Sequence, residues 1–287
     1  MRNPLETNPD VIGCLADFVE IEQYYFFASV STGFRDAWTS KKRPAFTRAI
    51  TPHTTVSQLL NSLDSGLRCS LELSNATASL GKLDLLQCAR ANGCPWSTFT
   101  SMAAAENGHI DVLQWLRAEG CPFNWWTCKH AARGGHLAAL KWLRENGCPW
   151  AACTCGGAAA GGHLDILKWA RANGCPWDEE TCNSAAQYGH LNVLKWARKH
   201  GCDWDQETCT RAAQGGHLDV LKWANRRGCP WDEETCNAAA GNGHLEILKW
   251  ARSNGCPWDK DTCRWAWGRG HNDVLSWARQ HGCPCDI

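Results

Sequence analysis

One stretch decides the fold: DEETCNSAAQYGHLNVLKWARKHGCDWD, residues 178–205. Its Gly-His pair recurs at a fixed step of 27 residues, and the Gly-Cys pairs and the tryptophans keep that step without an insertion. The Gly-His glycines are Gly108, Gly135, Gly162, Gly189, Gly216, Gly243 and Gly270, with a degenerate earlier copy at Gly81. Self-similarity at a fixed period predicts an array of stacked units, each packing on its neighbours.

Each unit carries the pattern of two short helices. Small apolar residues spaced i, i+3 and i+4 from Cys182 predict a first helix over about 179–187 whose face allows close approach. Gly189 supplies a turn, and a largely apolar second helix is predicted over about 191–200. Gly201 then stands where a left-handed C-cap is expected. A lone helix pair cannot bury enough apolar surface to offset its conformational entropy, so the units must stack.

Composition narrows the functional classes. Lys and Arg total 29, as do Asp and Glu, so no basic excess favours nucleic acid or an anionic membrane. The N-terminus lacks the pattern of a secretory signal, and no apolar run approaches the roughly 20 residues that span a bilayer. The 19 cysteines are therefore interpreted as reduced thiols of a cytosolic or nuclear protein.

The unit resembles the ankyrin repeat. AAQYGHLNVLKWARKHG, residues 185–201, is similar to that family's AAxxGHLEIVKLLLEKG segment, and the similarity recurs through about 71–287. The family's unit has about 33 residues; here the missing ones fall between Asp205 and Thr208, where the family has its β-hairpin finger. The resemblance implies an all-α helical solenoid of stacked helix-turn-helix repeats. It also implies a concave groove, lined by the first helices, that binds a target protein.

Residues 1–50 do not share the period and are expected to form a small helical module. The segment 8–38 resembles an F-box, with a Pro-Asp-Val opening and a closing Val-Ser-x-x-Phe-Arg-x-x-Trp, although Asn8 stands where the family usually has Leu. The resemblance implies docking to the SKP-type adaptor of a cullin–RING ubiquitin ligase. The docking residues would be Pro9, Val11, Phe18, Val30, Phe34 and Trp38.

The alternative for this segment is a plain helical cap that shields the apolar face of the first repeat. Residues 51–70 are expected to bridge the N-terminal module to the array, with one short helix over 56–63. The competing functions are then a ligase substrate receptor and a stand-alone scaffold or sequestering protein.

Recurring Cys and His raise the question of a metal site or an active site. Structural zinc sites need local ligand pairs with a matching second pair, whereas Cys153-x-Cys155 and Cys283-x-Cys285 are isolated in sequence. Cysteine also serves as a small buried apolar residue, and the Gly-His histidine is expected to bond local backbone. No nucleophile elbow, phosphate loop or His-Glu-x-x-His is found. We therefore expect no metal, no cofactor and no catalysis, with an enzyme or metalloprotein as the third alternative.

The tryptophans and basic residues have two interpretations. Trp169, Trp196 and Trp223 could form a stacking platform for bases or sugars, but Leu and Ala neighbours favour packing between repeats. Lys195 and Arg198 could meet phosphate, but the acidic helix starts offset them. We expect no nucleic-acid or membrane partner, and a monomer.

The partner-binding residues are expected where the units differ on the first helix. Fixed positions maintain the frame, whereas varied positions can recognise a target. Aromatic and arginine side chains are the usual energetic anchors of protein interfaces. The predicted anchors are Trp126, Arg133, Tyr188, Arg211, Trp265 and Arg269.

Overall fold

The computed structural model describes residues 53–64 and 67–286, and every regular element in those residues is an α-helix. The F-box-like segment, with all six expected docking residues, lies outside them. The helices are α1 (Val56–Asp64), α2 (Leu71–Ser79), α3 (Leu83–Ala91), α4 (Thr98–Glu106), α5 (Ile110–Ala118), α6 (Trp125–Arg133), α7 (Leu137–Glu145), α8 (Ala152–Ala160), α9 (Leu164–Ala172), α10 (Glu179–Gln187), α11 (Leu191–Lys199), α12 (Gln206–Gly215), α13 (Leu218–Arg226), α14 (Glu233–Gly241), α15 (Leu245–Ser253), α16 (Lys260–Gly268) and α17 (Asn272–Gln280).

Helices α2 to α17 form eight consecutive pairs, so the predicted helical solenoid is confirmed. The predicted helices over 179–187 and 191–200 correspond to α10 and α11. Gly189 and Gly201 have φ of +76° and +84°, a conformation that side chains disfavour, which explains glycine at both turns.

The first helices of neighbouring pairs pack directly on one another, and each second helix packs mainly on the first helix of its own pair. Small residues make this approach possible. A Cβ added at Gly157 in α8 would lie 2.6 Å from the backbone oxygen of Lys129 in α6. Because the first helices approach more closely than the second helices, the first-helix face is the concave face of the stack.

A continuous apolar core runs through the array. It includes the leucines at one register of the second helices, all fully buried: Leu113, Leu140, Leu167, Leu194 and Leu221. Burial of a leucine contributes about 2 kcal/mol, so each unit adds a similar increment and depends on both neighbours.

Helix α1 covers the start of the array. It packs on α3, and Leu59 forms a smaller apolar cluster with Leu73 and Leu85. The helix predicted in the bridging segment is therefore present, and it closes the apolar face of the first pair. None of the helices in the described ranges combines the length and apolarity needed to cross a bilayer.

Candidate protein-binding groove

A polar ladder joins neighbouring units at the turns between first and second helices; we call it the inner seam. Nε2 of His190 lies 3.1 Å from the carbonyl oxygen of Ala160, thirty residues earlier, and must donate because the carbonyl can only accept. His109, His163 and His244 each make the same contact with the unit that precedes their own. The histidine is structural, as predicted, but it bonds the preceding unit and not local backbone.

Gly-His glycines complete the inner seam. A Cβ at Gly189 would lie 2.5 Å from Nδ1 of His217 in the next unit, so the ring occupies the space that the missing side chain leaves. Burial lowers the pKa of His190, and the neighbouring His163 and His217 lower it further. Burial likewise lowers the pKa of His244. At these two positions the environment favours the neutral imidazole.

Hydroxyl and amide groups also connect successive first helices. Oγ1 of Thr208 donates to Oδ1 of Asn183 at 2.6 Å, and Oγ1 of Thr262 donates to Oδ1 of Asn237 at 2.6 Å. Both threonines are fully buried. These bonds satisfy polar groups that the close helix packing would otherwise leave unpaired.

The recurring thiols are explained by the caps of the first helices. Sγ of Cys202 donates to the backbone oxygen of Asp178, the N-cap of the same unit, at 3.1 Å. The same bond is made by Cys121, Cys148, Cys175, Cys229, Cys256 and Cys283. Contact with Cys202 and burial raise the pKa of Cys182, so that thiol stays protonated. A small apolar side chain with a weak donor is what this site needs.

Tryptophans form a second ladder at the ends of the helices opposite the Gly-His turns; we call it the outer seam. Trp177 packs edge-on against Trp196 of the next unit, with ring centroids 5.8 Å apart. The guanidinium of Arg171 lies 4.2 Å from the Trp177 centroid. Both rings are half-buried against the core. The structure thus agrees with tryptophan packing between repeats.

The concave face carries most of the exposed aromatic residues. Trp126 in α6 stacks on Trp125 with centroids 4.2 Å apart, and Nζ of Lys129 lies 4.3 Å from its ring. Tyr188, which follows α10, is 45 % exposed, and Trp265 in α16 is 41 % exposed. Tyr188 and Trp265 therefore present ring surface to solvent, whereas the Trp126 ring is partly covered by Trp125 and Lys129.

The arginine anchors are less available. Nε of Arg211 pairs with Glu207 at 2.8 Å. Arg269 donates to the backbone oxygen of Gly241 at 3.2 Å and lies 5.3 Å from the Trp265 ring. Arg133 is half-buried. These side chains brace the groove wall, so the aromatic residues are the stronger candidates for partner contacts.

Charge changes along the groove. Lys129 and Arg133 lie in α6, beside the stacked tryptophans, whereas α8 carries no charged side chain and its Gly156 and Gly157 are buried against the neighbouring first helices. From α10 onward, one register of the first helices is acidic in every unit: Glu180, Glu207, Glu234 and Asp261. Basic residues therefore lie at α6 and acidic ones from α10 onward, where Glu207 and Asp261 pair with Arg211 and Arg264 of their own helices.

Two features at the C-terminal end escaped the sequence analysis. Trp267 is 62 % exposed, at the register where Ala240 is fully buried; the break from Ala-Ala to Ala-Trp was the available signal. Cys263 and Cys285 form a disulfide with Cα atoms 5.6 Å apart, contrary to the expectation of reduced thiols throughout. None of the other cysteines in the described ranges is disulfide-bonded.

The described residues define a helical repeat protein with a fixed frame and a varied concave face. No family model matches the chain, and no curated protein is significantly similar to it.

Proposed function

We propose that this chain is a non-catalytic protein-binding scaffold of the cytosol or nucleus that recognises its target in the concave groove. The observation that carries the proposal is the distribution of side chains. The residues that recur in every unit pack in the two seams and the core. Trp125, Tyr188 and Trp265, by contrast, lie on first helices or directly after them and expose ring surface to solvent. The similarity of each unit to the ankyrin repeat supports this assignment.

Charge along the groove indicates the kind of target. An extended segment or helix would place acidic and apolar residues against Trp126, Lys129 and Arg133. Its basic residues would face Glu180 and Glu234. Complementary charge fixes orientation and discriminates between partners more than it adds affinity.

The test is affinity purification of the full chain with mass spectrometry, followed by binding measurements on the recovered target. Replacing Tyr188 with Ala should weaken binding about tenfold, as expected for an exposed aromatic anchor. Lys195→Ala, in the second helix of the same unit, is the matched control and should leave affinity unchanged. Equal loss in both variants, or none in either, contradicts groove recognition.

We further propose that the F-box-like segment makes the scaffold a substrate receptor of a cullin–RING ubiquitin ligase. The support is the match of Pro9, Val11, Phe18, Val30, Phe34 and Trp38 to that family's pattern. Pull-down with an SKP-type adaptor should succeed with the wild type and fail with a Val30→Asp, Phe34→Ala double variant. Failure of the wild type removes the receptor role.

Deletion of residues 1–50 separates this role from the alternative. If the protein is a stand-alone scaffold, neither the full chain nor the deleted chain binds the adaptor, and both bind the target. If it is a receptor, the full chain binds the adaptor and the deleted chain does not, while both still bind the target. Circular dichroism of the deleted protein establishes that the solenoid still folds.

A further inference from the structure

The last unit differs from the others at one register of the outer seam. Cys285 stands where Trp231 and Trp258 stand in the two preceding units. It joins Cys263 and Cys283, whose counterparts form a thiol pair in every unit from Cys128 and Cys148 onward. Sulfur atoms of Cys263, Cys283 and Cys285 all lie within 4.8 Å of one another. Only this unit, among the described residues, brings three such ligand atoms together.

The surrounding structure holds the three thiols in place. Cys263 is fully buried in α16, Cys283 is buried after α17, and Cys285 is half-buried. Arg264 clasps Asp286 with two bonds, one of them from Nε to Oδ1 at 3.0 Å, and so fixes the residue after Cys285 against α16. Because Asp286 is engaged with Arg264, the donor set is three sulfurs.

We propose that, in the reduced protein, Cys263, Cys283 and Cys285 bind one Zn²⁺ ion as thiolates. Zinc takes Cys ligands at about 2.3 Å in a tetrahedron, which places their sulfurs about 3.8 Å apart. The cluster can reach that spacing once the Cys263–Cys285 bond is reduced and those two sulfurs move apart within the 4.8 Å span. Half-exposure of Cys285 leaves the fourth position to a water molecule. Three thiolates and Zn²⁺ carry one net negative charge.

Zinc binding at this site depends on reduction of the Cys263–Cys285 disulfide. A dithiol reductant supplies two electrons and two protons to the Cys263–Cys285 bond, giving two thiols and the oxidised form of the reductant. Zinc then displaces three thiol protons, and Cys283 gives up its weak bond to the Asp259 carbonyl. In the disulfide form, Cys283 alone remains, and one thiol does not hold zinc.

The test is an anaerobic titration of the reduced full chain with Zn²⁺ in competition with a chromophoric chelator. Wild type should bind one equivalent that Cys285→Trp does not bind. This substitution restores the residue found at the same register in Trp231 and Trp258, so it is the matched control for folding. Cys285→Ser is a second variant that removes the thiol without adding volume.

Further arms isolate the cluster from the other cysteines. Cys236→Ser, at the counterpart of Cys263 in the preceding unit, should keep the full equivalent, because a thiol pair lacks the third ligand. Disulfide-oxidised wild type should behave like Cys285→Trp. Equal zinc stoichiometry in reduced wild type and Cys285→Ser overturns the proposal.

Discussion

The inner and outer seams join the same units by different physics. In the inner seam, the His190 imidazole reaches a single carbonyl on the preceding unit, and a glycine with positive φ makes room for each ring. In the outer seam, Trp177 and Trp196 meet edge-on, and Arg171 covers the Trp177 ring. The contact of the inner seam is directional and closely fitted, whereas the contact of the outer seam depends on dispersion between half-exposed rings.

Sequence variation follows that difference. The Gly-His pair is intact from Gly108 to His271. The outer seam accepts Phe123 for tryptophan and Asn225 for arginine. A contact that depends on one donor and one missing Cβ admits few replacements, whereas a contact spread over a ring face admits several.

The largest effect is expected at the inner seam, from Gly189→Ala. A Cβ there would lie 2.5 Å from the His217 ring, in addition to the strain of positive φ. We expect a loss of about 3 kcal/mol in the free energy of unfolding, from strain and overpacking together. Urea denaturation followed by circular dichroism measures it.

Gly201→Ala is the matched control, with φ of +84° and no atom within 4 Å of the added Cβ. It should cost only the strain, about 1 kcal/mol. Equal losses in the two variants would show that the histidine contact adds nothing to the seam.

A smaller loss is expected at the outer seam. Trp177→Ala removes the edge contact with Trp196 and the stacking of Arg171, and should cost about 2 kcal/mol in the free energy of unfolding. Trp177→Phe reproduces the residue found at Phe123 and should cost less than about 1 kcal/mol. Thermal melts compare them; if phenylalanine costs as much as alanine, the seam is not the tolerant contact described.

Acid should weaken the inner seam and spare the outer one. Because the folded-state pKa of His190 lies below its ordinary value of 6.5, the unfolded chain takes up the proton first as pH falls. Stability is therefore complete above about pH 6.5 and declines as pH falls through the folded pKa. Urea midpoints at about pH 7.5 and about pH 5.5 measure the change. His190→Gln keeps a donor and should flatten the dependence; an unchanged slope would exclude this histidine.

The smallest effect is a gain. Asn225→Arg restores the arginine that Arg171 and Arg198 provide in the two preceding units, where it covers Trp177 and Trp204. We expect about 0.5 kcal/mol of added stability from cation–π contact with Trp231. Lys222→Arg, on the same helix but at another register, serves as the control and should be neutral. If Asn225→Arg leaves the melting temperature unchanged or lowers it, the arginine at this register does not stabilise the outer seam through the tryptophan ring.

Much of the fold followed from local patterns. The period, the positive-φ glycines at 189 and 201, and the bounds of α10 and α11 could be predicted because turn and helix preferences depend on residues within one unit. The histidine contact was predicted as local and is in fact made to the preceding unit. A pattern within one unit does not reveal which neighbouring atom fills the space beside it.

The candidate groove was only partly predictable. Tyr188 and Trp265 were chosen as aromatic residues at varied positions of the first helix, and both are exposed. Arg211 and Arg269 were chosen as arginines at such positions, yet they pair within the chain. Residue type suggests an anchor, whereas the neighbours decide whether the side chain is free to serve as one.

The 27-residue period with no insertion was enough to predict a stack of similar helix pairs, because such units can bury their apolar faces only against one another. Which atoms meet across the units depends on the tertiary structure. It set the His190 ring against the carbonyl of Ala160, and it brought Cys263 to Cys283 and Cys285 from about twenty residues away. Such encounters depend on the rise and rotation between units, which are fixed by packing and not by any local preference.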